Sequence, residues 1–345
     1  MRKIFINVNE VKPGMKIAED VFNTYGAVVI TENTVLDSYM INVIHNMGLV
    51  RIKVYCNDDE LIIVSGTELF RERYNDNINS VKVIIKNIFD GKHIDSNVLK
   101  KVTGSIMTTI NDNRDIVDSI TEMKNSDQYI YTHSLNVALI SMLIGKWMKF
   151  NCKKIKALVG AGLLHDMGKS NISPKILNKP GVLSEQEFEE IKKHPLYSVS
   201  ICENISGISE DILKGILMHH EREDGSGYPF GLKSQQIHEF GKVIAVADIF
   251  DAMTSNRSYK DRLCPFNVIE AMQKESFGKL DHKIVSIFLR NIASYYLGDF
   301  VKLNTNQIGE IIFINPNDIP NPIIKVGDSY IDLSKNRGIN IDELI

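Results

Sequence analysis

The sequence predicts a mainly α fold, in which an all-helical central domain is flanked by a small N-terminal α/β module and a small C-terminal β appendage. Three observations carry that expectation. Apolar residues recur at three- and four-residue intervals through the middle of the chain, as an amphipathic helix requires. Runs rich in β-branched residues, bounded by Pro, Gly and Asn, are confined to the two ends. A chain of 345 residues is also long for a single domain and divides readily into several. The expected segments are 1–65, 66–126, 127–297 and 298–345.

Within the first segment Lys3–Val8, Met15–Ala18, Ala27–Ile30 and Val50–Tyr55 read as strands around the Pro13-Gly14 turn. One helix over about Val35–Met47 should stop at Gly48. The second segment is a helical connector: Leu99, Val102, Ile106 and Ile110 share one face, and the pattern breaks near Gly91-Lys92-His93, so an αα-hairpin is expected. In the third, Ser184-Glu185-Gln186-Glu187 is a capping box expected to open a helix that carries His194. Pro265 suits the first turn of another helix, and loops are expected at Ser170–Leu183 and Arg222–Leu232. Beyond Gly298, the runs Phe300–Leu303, Gly309–Ile314 and Ile323–Val326 read as strands.

Composition narrows the function classes. A formal net charge of −3 lacks the basic footprint of a protein that binds a nucleic-acid polymer. No uncharged apolar run approaches the roughly 18 residues of a membrane span, and Met1–Asn7 has neither an apolar core nor a small-residue cleavage site. The expectation is a cytoplasmic protein without membrane insertion. Cys56, Cys152, Cys202 and Cys264 are widely spaced, which argues for buried free thiols rather than disulfides or a zinc ribbon.

The chemistry is concentrated between His133 and Tyr259. His133, His165, Asp166, His194, His219, His220 and Asp248 form a set of imidazoles and carboxylates of the kind that holds zinc, iron or manganese, and no thiolate accompanies them. Adjacent pairs, His165-Asp166 and His219-His220, diverge by about 100° on a helical wheel and so can serve two ions. One open catalytic site takes three or four protein ligands. Seven candidates therefore suggest two metals, with Asp166 bridging so that seven residues make eight bonds. Two ions about 3.5–4 Å apart would hold a bridging hydroxide and clamp the oxygens of a phosphoryl displacement. Lys169 stands where an ammonium can meet a phosphate oxygen, or equally where a cation completes a helix C-terminus. His45, His93, His238 and His282 fall outside the set and read as structural or exposed.

His165-Asp166-Met167-Gly168-Lys169, together with His219-His220-Glu221-Arg222-Glu223-Asp224-Gly225-Ser226-Gly227-Tyr228-Pro229, resembles the two signatures of the HD-GYP family, a branch of the HD phosphohydrolase superfamily. Lys179-Pro180-Gly181, the run Ala247-Asp248-Ile249-Phe250-Asp251-Ala252-Met253-Thr254, Arg257 and Tyr259-Lys260 match it too, so the resemblance covers about 170 residues. It implies an HD-type catalytic domain that hydrolyses cyclic di-GMP to linear pGpG or on to GMP, with iron, manganese or zinc as the metal. It implies that the seven residues are ligands with Asp166 bridging and that Lys169, Arg257 and Lys260 contact phosphates, while Gly225, Gly227 and Pro229 read physically as a constrained loop beside the site, with Tyr228 either a base or ring contact or equally a structural tyrosine. It further implies that segment 1–65 is regulatory, which leaves a homodimer and signalling partners open. Some members hold a third metal through a glutamate four residues before the first histidine. Here that position is Tyr129, so two metals are expected. The rival readings are a non-catalytic receptor or interaction module and a phosphodiesterase for another cyclic dinucleotide such as cyclic GMP-AMP.

Overall fold

A computed structural model describes residues 2–8, 11–23, 27–47, 49, 51–56, 66–92, 96–108, 129–254 and 264–345. The chain groups into two compact units, one made of residues 1–65, 264–271 and 289–345 and the other of residues 66–263 and 272–288. The N-terminal module and the C-terminal strands, expected as separate segments, thus fall in the same unit. The contacts within it are too remote in sequence to read locally. The Arg51 guanidinium lies over both the Phe5 and Tyr295 rings, 5.3 and 5.1 Å from their centroids. Lys53 pairs with Glu19 at 3.0 Å and Glu310 at 3.3 Å.

In this first unit β1 (Arg2–Asn7), β5 (Arg51–Cys56) and β2 (Lys16–Ile17) form an antiparallel sheet in the order β1-β5-β2, while β3 (Val21–Phe22) pairs with β4 (Val28–Ile30). Ile17, Ile30, Leu36, Ile44, Ile52 and Val54 make its core. Helix α1 (Ser38–Asn46) starts three residues later than the periodicity suggests, because the Asp37 carboxylate accepts from the Met40 amide as an N-cap. Val35 instead forms a β-bridge with Lys16, and Gly48 lies outside the described residues. The C-terminal strands β6 (Phe300–Leu303), β7 (Ile308–Asn315), β8 (Asp318–Val326), β9 (Ser329–Asp332) and β10 (Ile341–Leu344) form one antiparallel sheet in the order β10-β6-β7-β8-β9. Along β7, Gly309, Ile311 and Phe313 are buried and alternate with half-buried Glu310 and Ile312, and the alternation breaks at Ile314, where the pairing with β8 is irregular.

The second unit begins with the expected hairpin, α2 (Gly66–Phe89) and α3 (Ser96–Thr108), whose Leu99, Val102 and Ile106 are buried. His93 and Ile110 lie outside the described residues. Helix α4 (Tyr129–Trp147) runs through the core with Leu135, Val137, Ile140 and Leu143 fully buried. It packs against α5 (Cys152–Leu164) and α10 (Glu239–Thr254), and α9 (Glu210–Met218) packs on α5 and α10. Helices α11 (Pro265–Glu275) and α12 (His282–Ser294) contribute residues to both units.

Three sequence expectations are corrected. The capping box at Ser184 does open a helix, α7 (Glu185–Ile191), but His194 begins a separate one, α8 (His194–Cys202). Pro195 explains the break, since it has no N–H and belongs in a first turn. The stretch expected as a loop at 170–183 holds the end of a 3-10 turn (Met167–Asn171) and a one-turn helix, α6 (Pro174–Leu177). Of the cysteines, Cys202 and Cys264 are buried free thiols, but Cys152 is exposed at the start of α5. His45, expected as a structural residue of its helix, is exposed, and so is His282, for which exposure is one of the two readings. No helix among the described residues is long and apolar enough to cross a membrane.

Candidate metal centre

Helix ends build most of the cluster. An α-helix leaves its last carbonyls without partners, and three histidines sit where their rings can reach those oxygens. His165 follows the last residue of α5 and bonds through Nδ1 to Gly162 O at 2.7 Å. His194 follows α7 and bonds to Ile191 O at 2.8 Å, and His219 follows α9 and bonds to Ile216 O at 2.6 Å. A carbonyl only accepts, so each Nδ1 donates, and Nε2 is the ring atom directed inward. Each imidazole therefore caps a helix and presents a donor atom at once.

His133 lies within α4 and uses a different support. Its Nδ1 faces Asp251 Oδ2 at 2.8 Å, and its Nε2 lies 3.3 Å from Asp248 Oδ1. Asp248 and Asp251 are three apart on α10 and address opposite edges of one ring.

Asp166, at the turn between α5 and the 3-10 segment, stands between the two sets. Its Oδ2 is 3.4 Å from both His133 Nε2 and His165 Nε2. Its Oδ1 is 3.3 Å from His194 Nε2 and 4.0 Å from His219 Nε2. The donor atoms fall into two groups, His133, His165 and Asp248 on one side and Asp166, His194, His219 and His220 on the other. All seven residues singled out as ligands from the sequence are brought together.

The donors fit cations. His165 Nε2 and Asp166 Oδ1 are buried without a hydrogen-bond partner, a costly state unless another ligand answers it. His194 Nε2 and His219 Nε2 face each other at 3.3 Å, an approach that a cation shared by the two nitrogens would satisfy. Burial first, and then the neighbouring imidazoles, hold His219 and His220 well below the usual histidine pKa, in the neutral ligating form. Burial opposes charge on His133 as well, but Asp166 and Asp251 outweigh it and hold its pKa well above the usual value. At Asp166 burial opposes ionisation, yet Lys169, His165 and His133 hold the carboxyl well below its ordinary range.

Around the donors the backbone is tightly fitted. Gly168 has no room for a side chain, since an added Cβ would lie 2.1 Å from His194 O and 2.4 Å from Ser198 N. The buried Ser198 hydroxyl donates to His165 O at 2.8 Å and accepts from Gly168 N at 2.7 Å, which ties α8 to the turn that carries Asp166. Lys169 hydrogen-bonds to Asp166 Oδ2 and keeps 39% of its side chain exposed, at the rim. The Tyr228 ring stacks on His220 with centroids 4.6 Å apart and 24° between planes. Burial first, then Asp166 and Asp248, push its phenol up, so it remains protonated. The loop that carries it is held by Glu221, only 2% exposed, whose two oxygens accept from Phe230 N and Leu232 N at 2.8 Å each.

Arg257 and Lys260 lie outside the described residues, as does the side chain of Tyr129. Glu221, Asp251, Asn136 and Tyr74 support the site without having been assigned a role from the sequence. Two of them left a local trace: Glu221 as the acid directly after the His219-His220 pair, and Asp251 within the run that carries Asp248.

A family model described as an HD domain matches residues 116–284. A cyclic di-GMP phosphodiesterase of Pseudomonas aeruginosa is 31% identical over 68% of this chain and 57% of its own length. A 3'3'-cGAMP-specific phosphodiesterase of Vibrio cholerae is 36% identical over 49% of this chain and 39% of its own. A cyclic di-GMP phosphodiesterase of Borreliella burgdorferi is 35% identical over 59% and 55%. The chain thus spans between about two fifths and three fifths of the length of these relatives. A solved HDG"Y"P protein of Bdellovibrio bacteriovorus, 16% identical, covers 83% of this chain and 98% of its own at a TM-score of 0.52, and shares the fold.

Proposed function

We infer that the chain belongs to the HD-GYP family of HD domain proteins, and on that premise we propose that it hydrolyses cyclic di-GMP with two divalent cations. The observation that carries this reading is Asp166, whose two oxygens address different imidazole sets. His133, His165 and Asp248 would hold one cation, His194, His219 and His220 the other, with Asp166 common to both. Such a pair supplies Lewis acidity and an activated water for opening a phosphodiester.

The chain's own groups then do the holding and orienting. Lys169, at the rim beside Asp166, meets an oxygen of the scissile phosphate as a point charge. Arg257 and Lys260 take the second phosphate of the ring, and Tyr228 offers its face to a base. Opening the ring adds water across one P–O3′ bond and leaves a 5′-phosphate and a 3′-hydroxyl, giving pGpG, and a second round gives GMP. Iron or manganese suits the mixed imidazole and carboxylate set, with zinc next. Two cations are proposed rather than three because Tyr129 stands where a third would need a carboxylate. A second substrate, cyclic GMP-AMP, is supported by the likeness to the Vibrio cholerae enzyme named for it.

The test is anaerobic purification with elemental analysis, followed by turnover of cyclic di-GMP and of 3'3'-cGAMP with each of iron, manganese and zinc. About two metals per chain and faster release of pGpG or GMP from cyclic di-GMP are expected. A metal-replete protein that binds both dinucleotides and cleaves neither would establish a receptor, and a preparation holding three metals would refute the count.

A further inference from the structure

Helix α2 is connected to the candidate ligand His133 by side chains that bind no cation themselves. The Tyr74 hydroxyl, on α2, donates to Asn136 Oδ1 on α4 at 2.7 Å. Asn136 Nδ2 donates to Asp251 Oδ1 on α10 at 2.8 Å, and Asp251 Oδ2 receives His133 Nδ1 at 2.8 Å. The direction of every bond is fixed. A carboxylate only accepts, so the Asn136 nitrogen must face Asp251 and its oxygen must face Tyr74, which therefore donates. His133 then donates from Nδ1, which turns Nε2 toward the cluster, 3.4 Å from Asp166 Oδ2.

Tyr74, Asn136 and Asp251 are 1%, 1% and 0% exposed, so bulk water does not replace a bond lost from the chain. Helix α2 also packs on α4 and touches the 3-10 turn that carries Lys169. In the sequence it is the first helix after the N-terminal segment, and its first residue opens the second unit.

We propose that Tyr74, Asn136 and Asp251 form a positioning relay through which helix α2 sets the ligating nitrogen and ring orientation of His133, and so the occupancy of one half of the metal cluster. The proposal rests on the two-cation reading above. His165, His194 and His219 are oriented by carbonyls of the helices they follow, and among the described residues no comparable chain of hydrogen bonds ties them to α2. Displacing α2 withdraws the Tyr74 hydroxyl, strands the Asn136 oxygen and frees the amide to turn its oxygen against the Asp251 carboxylate. That loosens the grip on His133 alone. The effect is therefore selective between the two cations.

The experiment titrates Mn²⁺ into the metal-free full-length chain, read by calorimetry and by the electron paramagnetic resonance of single and paired Mn²⁺. Tyr74→Phe keeps the ring and removes the hydroxyl, while Asn136→Leu removes the amide at similar volume. Partners that orient metal-bound histidines typically contribute 10–100-fold in affinity. We expect Tyr74→Phe to weaken one of the two Mn²⁺ sites by about that factor, with the other site and the KM for the dinucleotide unchanged and kcat restored at saturating Mn²⁺. Two unchanged sites overturn the relay, as does equal weakening of both, the mark of a general loss of fold. Asn136→Leu is read in the same way and decides the matter if Tyr74→Phe does not fold. A wild-type chain that binds no Mn²⁺ overturns the functional reading and the relay together. A wild-type chain that binds two, beside an unaffected variant, overturns the relay alone.

Discussion

The imidazoles of the cluster are oriented by two opposite means, and the side that holds His133 and His165 uses both. His165, His194 and His219 each take a carbonyl three residues back, at 2.6–2.8 Å, and so depend only on where a helix ends. His133 sits inside α4, where carbonyls are committed to the helix ladder, and takes Asp251 from 118 residues away. A histidine at a helix end carries its support with it. One within a helix borrows support from the tertiary structure, and with it a sensitivity to whatever moves the lender.

Asp166 is the one carboxylate common to both sides, and its removal should have the largest effect. Asp166→Ala is expected to lose metal and at least about 10³-fold in turnover, since the several kcal/mol of charge stabilisation a metal supplies are equivalent to that factor. Elemental analysis alongside the assay checks it, and retention of both metals with near-native rates would separate the two sides entirely. The asymmetry itself is tested by Asp251→Asn. Metal affinity should fall about 10–100-fold on the His133 side only. An even loss across the two cations would mean that the long-range support is no more fragile than the local one.

A support of the surrounding loop comes next. Glu221→Gln sets an amide NH₂ against a backbone N–H in a buried place, so a loss of about 1–3 kcal/mol in stability is expected by denaturant melts. The smallest effect is predicted for a histidine outside the cluster. His238 faces Asp211 at 3.3 Å across a surface where Asp211 is 60% exposed, so His238→Ala should change stability by about 1 kcal/mol at most and leave metal content intact. A large loss of metal in that variant would extend the cluster beyond the seven residues.

The same contrast explains what the sequence made legible. Adjacent His-Asp and His-His pairs at helix ends announce their chemistry locally, and the ligand set could be collected from them. Asn136 and Tyr74 carry no such sign, and Asp251 shows only as part of the run after Asp248: the three, on separate helices, acquire their roles only when the helices pack, across 62 and 115 residues. The fold divides likewise. Long amphipathic stretches such as α3 were visible, whereas two-residue strands like β3 have no periodicity to detect, and β9 and β10 were missed at the C-terminal end. The start of α8 was misplaced because a capping box marks only a beginning. The grouping of residues 2–56 with the last strands depends on pairs such as Lys53–Glu310, 257 positions apart, which no local pattern encodes.

Gly168 bears on how freely the protein tolerates mutation. In a library of random single variants, position 168 should yield survivors with glycine alone, because even one methyl group collides with the His194 carbonyl and forces α8 away from the turn that holds Asp166. Gly104, in the middle of α3, has nothing within 4 Å of an added Cβ, and alanine there should be enriched, since it favours the helix by about 0.5–1 kcal/mol. Two glycines that look alike in the sequence would thus sit at opposite ends of the tolerance scale, and sequencing the survivors would read out where the backbone is in contact and where it is merely flexible.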